Sequence, residues 1–135
     1  MTKKLPLIAR IGLGILLVAF GTIGVLNIFI QFAPPVQYSN PVANQFITGI
    51  NNAQYIPGIV SVLGFVAGIL LIINRFVPLA LVLYTPISVN IILFHLFLDM
   101  KTILPALVVV LLNVYLLVAY MENYKPFLKA KNELK

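Results

Sequence analysis

The chain has 135 residues, of which 61% are hydrophobic and 9% are charged, and its formal net charge is +6. A soluble domain carries about 25% charged residues, and a domain of this length cannot hide so much apolar surface from water. The composition therefore excludes a soluble globular domain and predicts an integral membrane protein. Because the basic residues lie at the ends of apolar runs, the positive charge indicates membrane topology rather than nucleic-acid binding. The sequence has no cysteine, which excludes thiol chemistry and thiolate metal ligands within this chain.

Four apolar stretches are long enough to cross a bilayer as helices, which takes about 20 residues each. They cover residues 7–32, 56–73, 77–98 and 103–120. These stretches predict an all-α, four-helix membrane bundle that forms a single transmembrane domain, residues 1–135. Pro86 lies well inside a stretch and removes one helix hydrogen bond, so we expect a kink in the third helix.

The basic residues divide unequally between the two sides of the predicted bundle. One side carries Arg75, between the second and third spans, and the basic residues near both termini: Lys3, Lys4, Arg10, Lys125, Lys129, Lys131 and Lys135. The other side carries Lys101, beside Asp99. The positive-inside rule places the side richer in Lys and Arg in the cytoplasm. We therefore expect both termini inside, with Arg75 in a cytoplasmic loop and a basic cytoplasmic tail at residues 121–135.

The long connection between the first two spans, residues 33–54, contains no charged residue. Asn40 followed by Pro41 is a typical helix start, with a capping side chain and a proline at the first helical position. The apolar residues that follow fall on one helix face: Val42, Ala43, Phe46, Ile47 and Ile50. This pattern predicts a short amphipathic helix at the outer membrane interface. The alternative is an irregular lid packed on the helix ends.

Glycines in the first two spans predict close helix packing. Apolar helices gain little hydrophobic drive from meeting in lipid, so small residues are needed to let them approach. Gly21 and Gly24 lie in the first span, and Gly64 and Gly68 lie four residues apart in the second. A homodimer face would use the same residues. Packing within one bundle is favoured, because four helices must already bury these faces against each other.

The polar residues that could carry chemistry concentrate near the outer end of the third span. His95 and Asp99 are four residues apart and share a helix face. Ser88 lies on nearly the same face, whereas Asn90 lies deeper and is turned about 140° away from His95 at 3.6 residues per turn. These residues predict a polar mouth in which Asp99 orients His95 toward a ligand or a quinone head group. The alternative is a structural hydrogen-bonded pair that closes the bundle. In the fourth span, Asn113 predicts an interhelical hydrogen bond.

Recognisable catalytic patterns are missing from the sequence. It shows no nucleophile–base pair, phosphate-binding loop, paired carboxylates or metal-binding motif. We therefore predict no catalytic residue, no metal site and no cofactor, with a quinone as the one alternative. The spans also contain no deep charged side chain, which disfavours a proton relay or an ion-coupled transporter.

The stretch from Gly68 to Asp99 resembles the DoxX family of small bacterial integral membrane proteins. The resemblance is carried by Asn74, Arg75, Phe76, Pro78, Pro86, Asn90, Phe94, His95 and Asp99. The resemblance covers nearly the whole chain. The resemblance implies a four-helix bundle of the bacterial inner membrane, with links to quinol-oxidising and thiosulfate-oxidising membrane complexes. The chain departs from the family pattern at Gly64, where members often carry glutamate, and near Asn113, where they often carry an acid.

Three functions follow as hypotheses. The first is a non-catalytic accessory, assembly or interaction subunit of a membrane complex, with another membrane protein or a second copy of this chain as its partner in the lipid bilayer. The second is a quinone-linked subunit of a membrane oxidoreductase, with His95 and Asp99 at the head-group pocket. A small-solute transporter is weaker, because the spans offer few polar residues to line a pore and the chain would need to oligomerise.

Overall fold

A computed structural model describes residues 3–131, 133 and 134, and every regular element within them is a helix. Its α-helices are α1 (Lys4–Ile30), α2 (Pro41–Asn52), α3 (Tyr55–Ile72), α4 (Val77–Leu98) and α5 (Ile103–Ala119). Short 3₁₀ helices cover Met100–Thr102, Met121–Asn123 and Lys125–Leu128. The predicted transmembrane domain and its basic tail also included residues 1, 2, 132 and 135, which lie outside the described residues.

The four predicted spans are confirmed as α1, α3, α4 and α5. Helical segments at these places are long and apolar enough to cross a membrane, with a mean hydropathy of 2.0 to 2.5. Only 22–33% of the residues in their most apolar windows are buried against the rest of the chain. Large apolar side chains such as Phe29, Phe97 and Leu104 are 71–79% exposed. Because water does not tolerate apolar surface of this extent, the exposed helix faces contact lipid, and the chain is a multi-pass membrane protein.

Long-range hydrogen bonds define the two ends of the bundle. At one end, the Tyr124 hydroxyl donates to the carbonyl of Pro78 at 2.9 Å, which joins the chain beyond α5 to the start of α4. At the other end, the Asn40 amide donates to the carbonyl of Leu98 at 3.1 Å, which joins the start of α2 to the end of α4. We call the first the basic end, because it holds Arg75, the start of α1 and the basic residues that follow α5 up to residue 131. We call the second the loop end; it holds residues 31–54 and 99–102.

Arg10 is a buried cation that holds α1 against the last turn of α3. Its exposed fraction is 6%, and its guanidinium donates to the carbonyls of Leu71 and, at 3.4 Å, Ile72. These carbonyls lie at the C-terminus of α3, where backbone acceptors lack partners within the helix and the helix dipole is negative. Sequence reasoning treated Arg10 only as a topological charge, but the structure gives it a packing role inside the basic end.

Glycines determine how closely α1 and α3 cross. A Cβ atom on Gly21 would lie 2.6 Å from the backbone nitrogen of Phe65, and one on Gly68 would lie 2.7 Å from the backbone nitrogen of Val18. Gly24 is similarly close to α3. Distances this short leave no room for a methyl group, so the two backbones touch directly. These glycines therefore pack within one chain.

Asn113 joins α5 to α4 inside the bundle, which confirms the interhelical hydrogen bond predicted for it. Its exposed fraction is 1%, and its amide nitrogen donates to the hydroxyls of Thr85 at 3.2 Å and Ser88 at 3.1 Å. Both hydroxyls donate in turn to backbone carbonyls of α4. Ser88 therefore belongs to a buried structural network.

Pro86 lies inside α4, which continues as an α-helix on both sides of it. Proline cannot donate to the carbonyl four residues earlier, Val82. The neighbouring Thr85 hydroxyl bonds the carbonyl of Leu81 at 2.7 Å, so side-chain hydrogen bonding accompanies the missing backbone bond. The kink at Pro86 stays a prediction.

Candidate ligand-binding site

The predicted amphipathic helix is present as α2, and its first turn fixes it to the bundle. The Asn40 side-chain oxygen accepts a hydrogen bond from the backbone N–H of Val42 at 2.9 Å, with Pro41 at the first helical position. This is the predicted cap. The amide nitrogen of the same side chain makes the bond to Leu98. One asparagine therefore both starts α2 and positions it over the end of α4.

The segment before α2 is held by a second asparagine and by an aromatic cluster. The Asn44 side chain accepts from the backbone N–H of Tyr38 and donates to its carbonyl, both at 2.8 Å. The Phe94 ring of α4 contacts the rings of Tyr38 at 5.2 Å and Phe46 at 5.7 Å between centroids. Partial burial, and then the nearby charge of Asp99, raises the pKa of the Tyr38 hydroxyl. Tyr38 and Phe46 thus attach α2 and the segment before it to α4.

A cavity of about 720 Å³ lies under α2, between it and the loop-end halves of α3 and α4. We call it the larger cavity. Most of its walls are apolar side chains of these three helices. Its polar or amphipathic lining comes from Tyr38, Asn51, Ser61, Asn90 and His95. The larger cavity therefore combines apolar walls with a few polar groups, which is typical of small-molecule sites.

His95 is oriented by groups that all face its Nδ1 atom. Nδ1 lies 3.3 Å from the backbone carbonyl oxygen of Asp99, 3.3 Å from the Thr102 hydroxyl and 3.7 Å from the Asp99 carboxylate. The Thr102 hydroxyl donates its one proton to that carboxylate, so toward His95 it can only accept a hydrogen bond. These neighbours are acceptors, so they fit the tautomer with the proton on Nδ1. In the neutral imidazole, Nε2 then presents a lone pair, and it makes no hydrogen bond to residues 3–131.

A second cavity of about 280 Å³ adjoins the first, and we call it the smaller cavity. Its lining includes Leu17 and Gly21 of α1, Gly64 of α3, Tyr84 of α4 and Val109 of α5. A Cβ on Gly64 would lie 3.8 Å from the Tyr84 ring, an ordinary contact distance. Gly64 therefore borders the smaller cavity at a place where a methyl group would fit at ordinary contact distance.

The residues predicted for the polar mouth are only partly brought together. His95 and Asn90 both line the larger cavity, although helix geometry turns their side chains apart. Asp99 is 7% exposed and lies beside Nδ1, on the side of His95 that makes the protein contacts. Ser88 bonds with Asn113 instead. The sequence analysis did not include Thr102, whose hydroxyl bonds the Asp99 carboxylate. Its position three residues after Asp99 is the pattern that could have indicated this contact.

These features define the class of protein: a multi-pass helical membrane protein with a largely apolar cavity, carrying a few polar groups, at one end of its bundle. Comparison of the chain with protein-family models, curated proteins and solved structures finds no match.

Proposed function

We propose that this chain is a non-catalytic accessory subunit of a bacterial inner-membrane complex, and that it binds a small amphipathic ligand in the larger cavity. The cavity is the observation that carries the proposal. Its volume of about 720 Å³ lies within the range of about 300–1,000 Å³ that ligand pockets occupy. The resemblance to the DoxX family and the chain's single histidine support an accessory role over a catalytic one.

The lining supports a ligand with an uncharged head that carries a hydroxyl group. The described residues that line the larger cavity include no Lys, Arg, Asp or Glu. With a single ring proton on Nδ1, Nε2 of His95 presents a lone pair that accepts a hydrogen bond, and a hydroxyl donates one. A quinol has such a hydroxyl and an uncharged ring. This observation favours a second candidate function, a quinol-binding subunit of a membrane oxidoreductase.

Binding of a hydroquinone to the purified protein in lipid nanodiscs tests the proposal. We expect His95→Ala to weaken binding about fivefold, because one hydrogen bond contributes about 1 kcal/mol. We expect the oxidised quinone to bind more weakly than the hydroquinone, since it offers Nε2 no donor. Hydroquinone binding that is equal in wild type and His95→Ala would refute this site.

Two neighbouring asparagines of α2 supply a matched control. Both side chains are exposed, but Asn51 lines the larger cavity and Asn52 does not. Asn51→Ala should therefore lower affinity for the hydroquinone, and Asn52→Ala should leave it unchanged. Equal effects of the two substitutions would point to a change in α2 as a whole and count against ligand contact at Asn51.

We further propose that the basic end faces the cytoplasm, on the positive-inside rule. Because the chain has no cysteine, single cysteines report sidedness cleanly. Lys101→Cys should react with a membrane-impermeant maleimide in intact cells. Lys125→Cys should react only after the membrane is permeabilised. The reverse pattern would place the loop end inside.

A further inference from the structure

We infer that the smaller cavity holds the apolar tail of the ligand whose head lies at His95, an inference that rests on the proposed function. The two cavities share lining residues: Val60, Ser61, Ile91 and His95. A ligand head beside His95 is therefore already at the entrance to the smaller cavity.

The smaller cavity extends from the loop end toward the middle of the bundle. His95 lies three residues before the end of α4 at Leu98, and Tyr84 lies eleven residues before His95. At 1.5 Å per residue, Tyr84 is about 16 Å deeper than His95. A bound amphiphile would thus have its head near the membrane interface and its tail toward the midplane, the same orientation that lipids have on either side of the protein.

Gly64 makes room for the tail, in contrast to the glycines that pack α1 against α3. The nearest atoms to a Cβ on Gly64 lie at 3.8 Å and 4.0 Å, so close helix packing does not require glycine here. The surrounding walls, such as Leu17 and Val109, are buried and apolar. A larger side chain at residue 64 would project into the cavity and take the space assigned to the tail.

The inference is tested on the full chain in nanodiscs with two photoreactive hydroquinones. The ring probe carries a diazirine on its ring, and the tail probe carries it at the end of an alkyl tail. Crosslinked residues are identified by mass spectrometry. We expect the ring probe to label α2 and α4 around His95. We expect the tail probe to label Leu17 and Val109, and to lose that labelling in Gly64→Leu.

Gly12→Leu is the matched control, because a Cβ on Gly12 meets no atom within 4 Å. It should keep tail labelling at wild-type level. Tail labelling confined to lipid-exposed residues such as Phe97 and Leu104, with ring labelling intact, would overturn the tail assignment and leave the proposed function standing. Ring labelling that does not depend on His95 would overturn both. The wild-type crosslink map decides the question even if Gly64→Leu does not fold.

Discussion

The crossing of α1 and α3 predicts opposite results for one substitution at two positions of α1. At Gly21, an added Cβ would lie 2.6 Å from the Phe65 nitrogen, about 0.8 Å inside an ordinary contact of 3.4 Å. Two further Phe65 atoms, Cα and Cβ, would lie at 2.8 Å. None of these atoms can rotate away, so α1 must move off α3. We expect Gly21→Ala to lower the free energy of unfolding by about 1–3 kcal/mol, as overpacking does.

At Gly12 the same added methyl group meets open space. Glycine inside a helix costs about 0.5–1 kcal/mol relative to alanine, because it loses more backbone freedom on folding. Gly12→Ala should therefore be neutral or stabilising. The two variants change the same atoms in the same helix and differ only in what the new methyl group contacts.

Unfolding by SDS in mixed micelles, followed by circular dichroism, measures both variants. The protein concentration should be varied, because a midpoint that depends on concentration would reveal an oligomer. We expect Gly21→Ala to unfold at a lower SDS fraction than wild type and Gly12→Ala at the same fraction or a higher one. Coincident curves for the two variants would refute the direct backbone contact between α1 and α3.

Three further predictions concern buried or partly buried polar groups. Arg10→Met should lower stability by about 1.5–3 kcal/mol in the same SDS assay, because the carbonyl of Leu71 loses a charged donor; no loss would show that Arg10 acts only in topology. Asn113→Ala should cost about 1 kcal/mol, and an unchanged midpoint would contradict its interhelical role. Because the pKa of Tyr38 is raised above 10.0, its contribution to stability is complete below pH 10.0 and is lost as the pH rises through the folded-state pKa. Absorbance titration of wild type, Tyr38→Phe and Asp99→Asn checks this: the carboxylate substitution should lower the Tyr38 pKa, and an unchanged titration would exclude the charge effect.

Features encoded within a few residues could be read from the sequence. The Asn40 cap and Pro41 predict the start of α2 correctly because capping involves only the first turn of a helix. The spans follow from apolar length alone. The proximity of His95 and Asp99 follows from their four-residue spacing across the end of α4.

Contacts between distant segments were beyond the sequence. Arg10 lies near the start of its span, where a positive charge is explained by the positive-inside rule alone. Its bond to Leu71 joins residues 61 positions apart, which no local pattern predicts. Glycine spacing indicates a small face but does not say whether a helix or open space lies opposite. The same four-residue glycine spacing includes Gly68, which touches α1, and Gly64, which borders the smaller cavity. The cavities are spaces between helices, and only the packed arrangement defines them.

The tight crossing and the cavities are two consequences of one arrangement. Glycines bring α1 into direct contact with α3, while a cavity lies between α3 and α4 at the loop end, where α2 lines its other side. Gly21 belongs to both features, because it touches Phe65 and also lines the smaller cavity. A methyl group there should therefore weaken the bundle and alter the tail-binding space together. At Gly12, which meets neither α3 nor the cavity, the same change should leave ligand binding as it is.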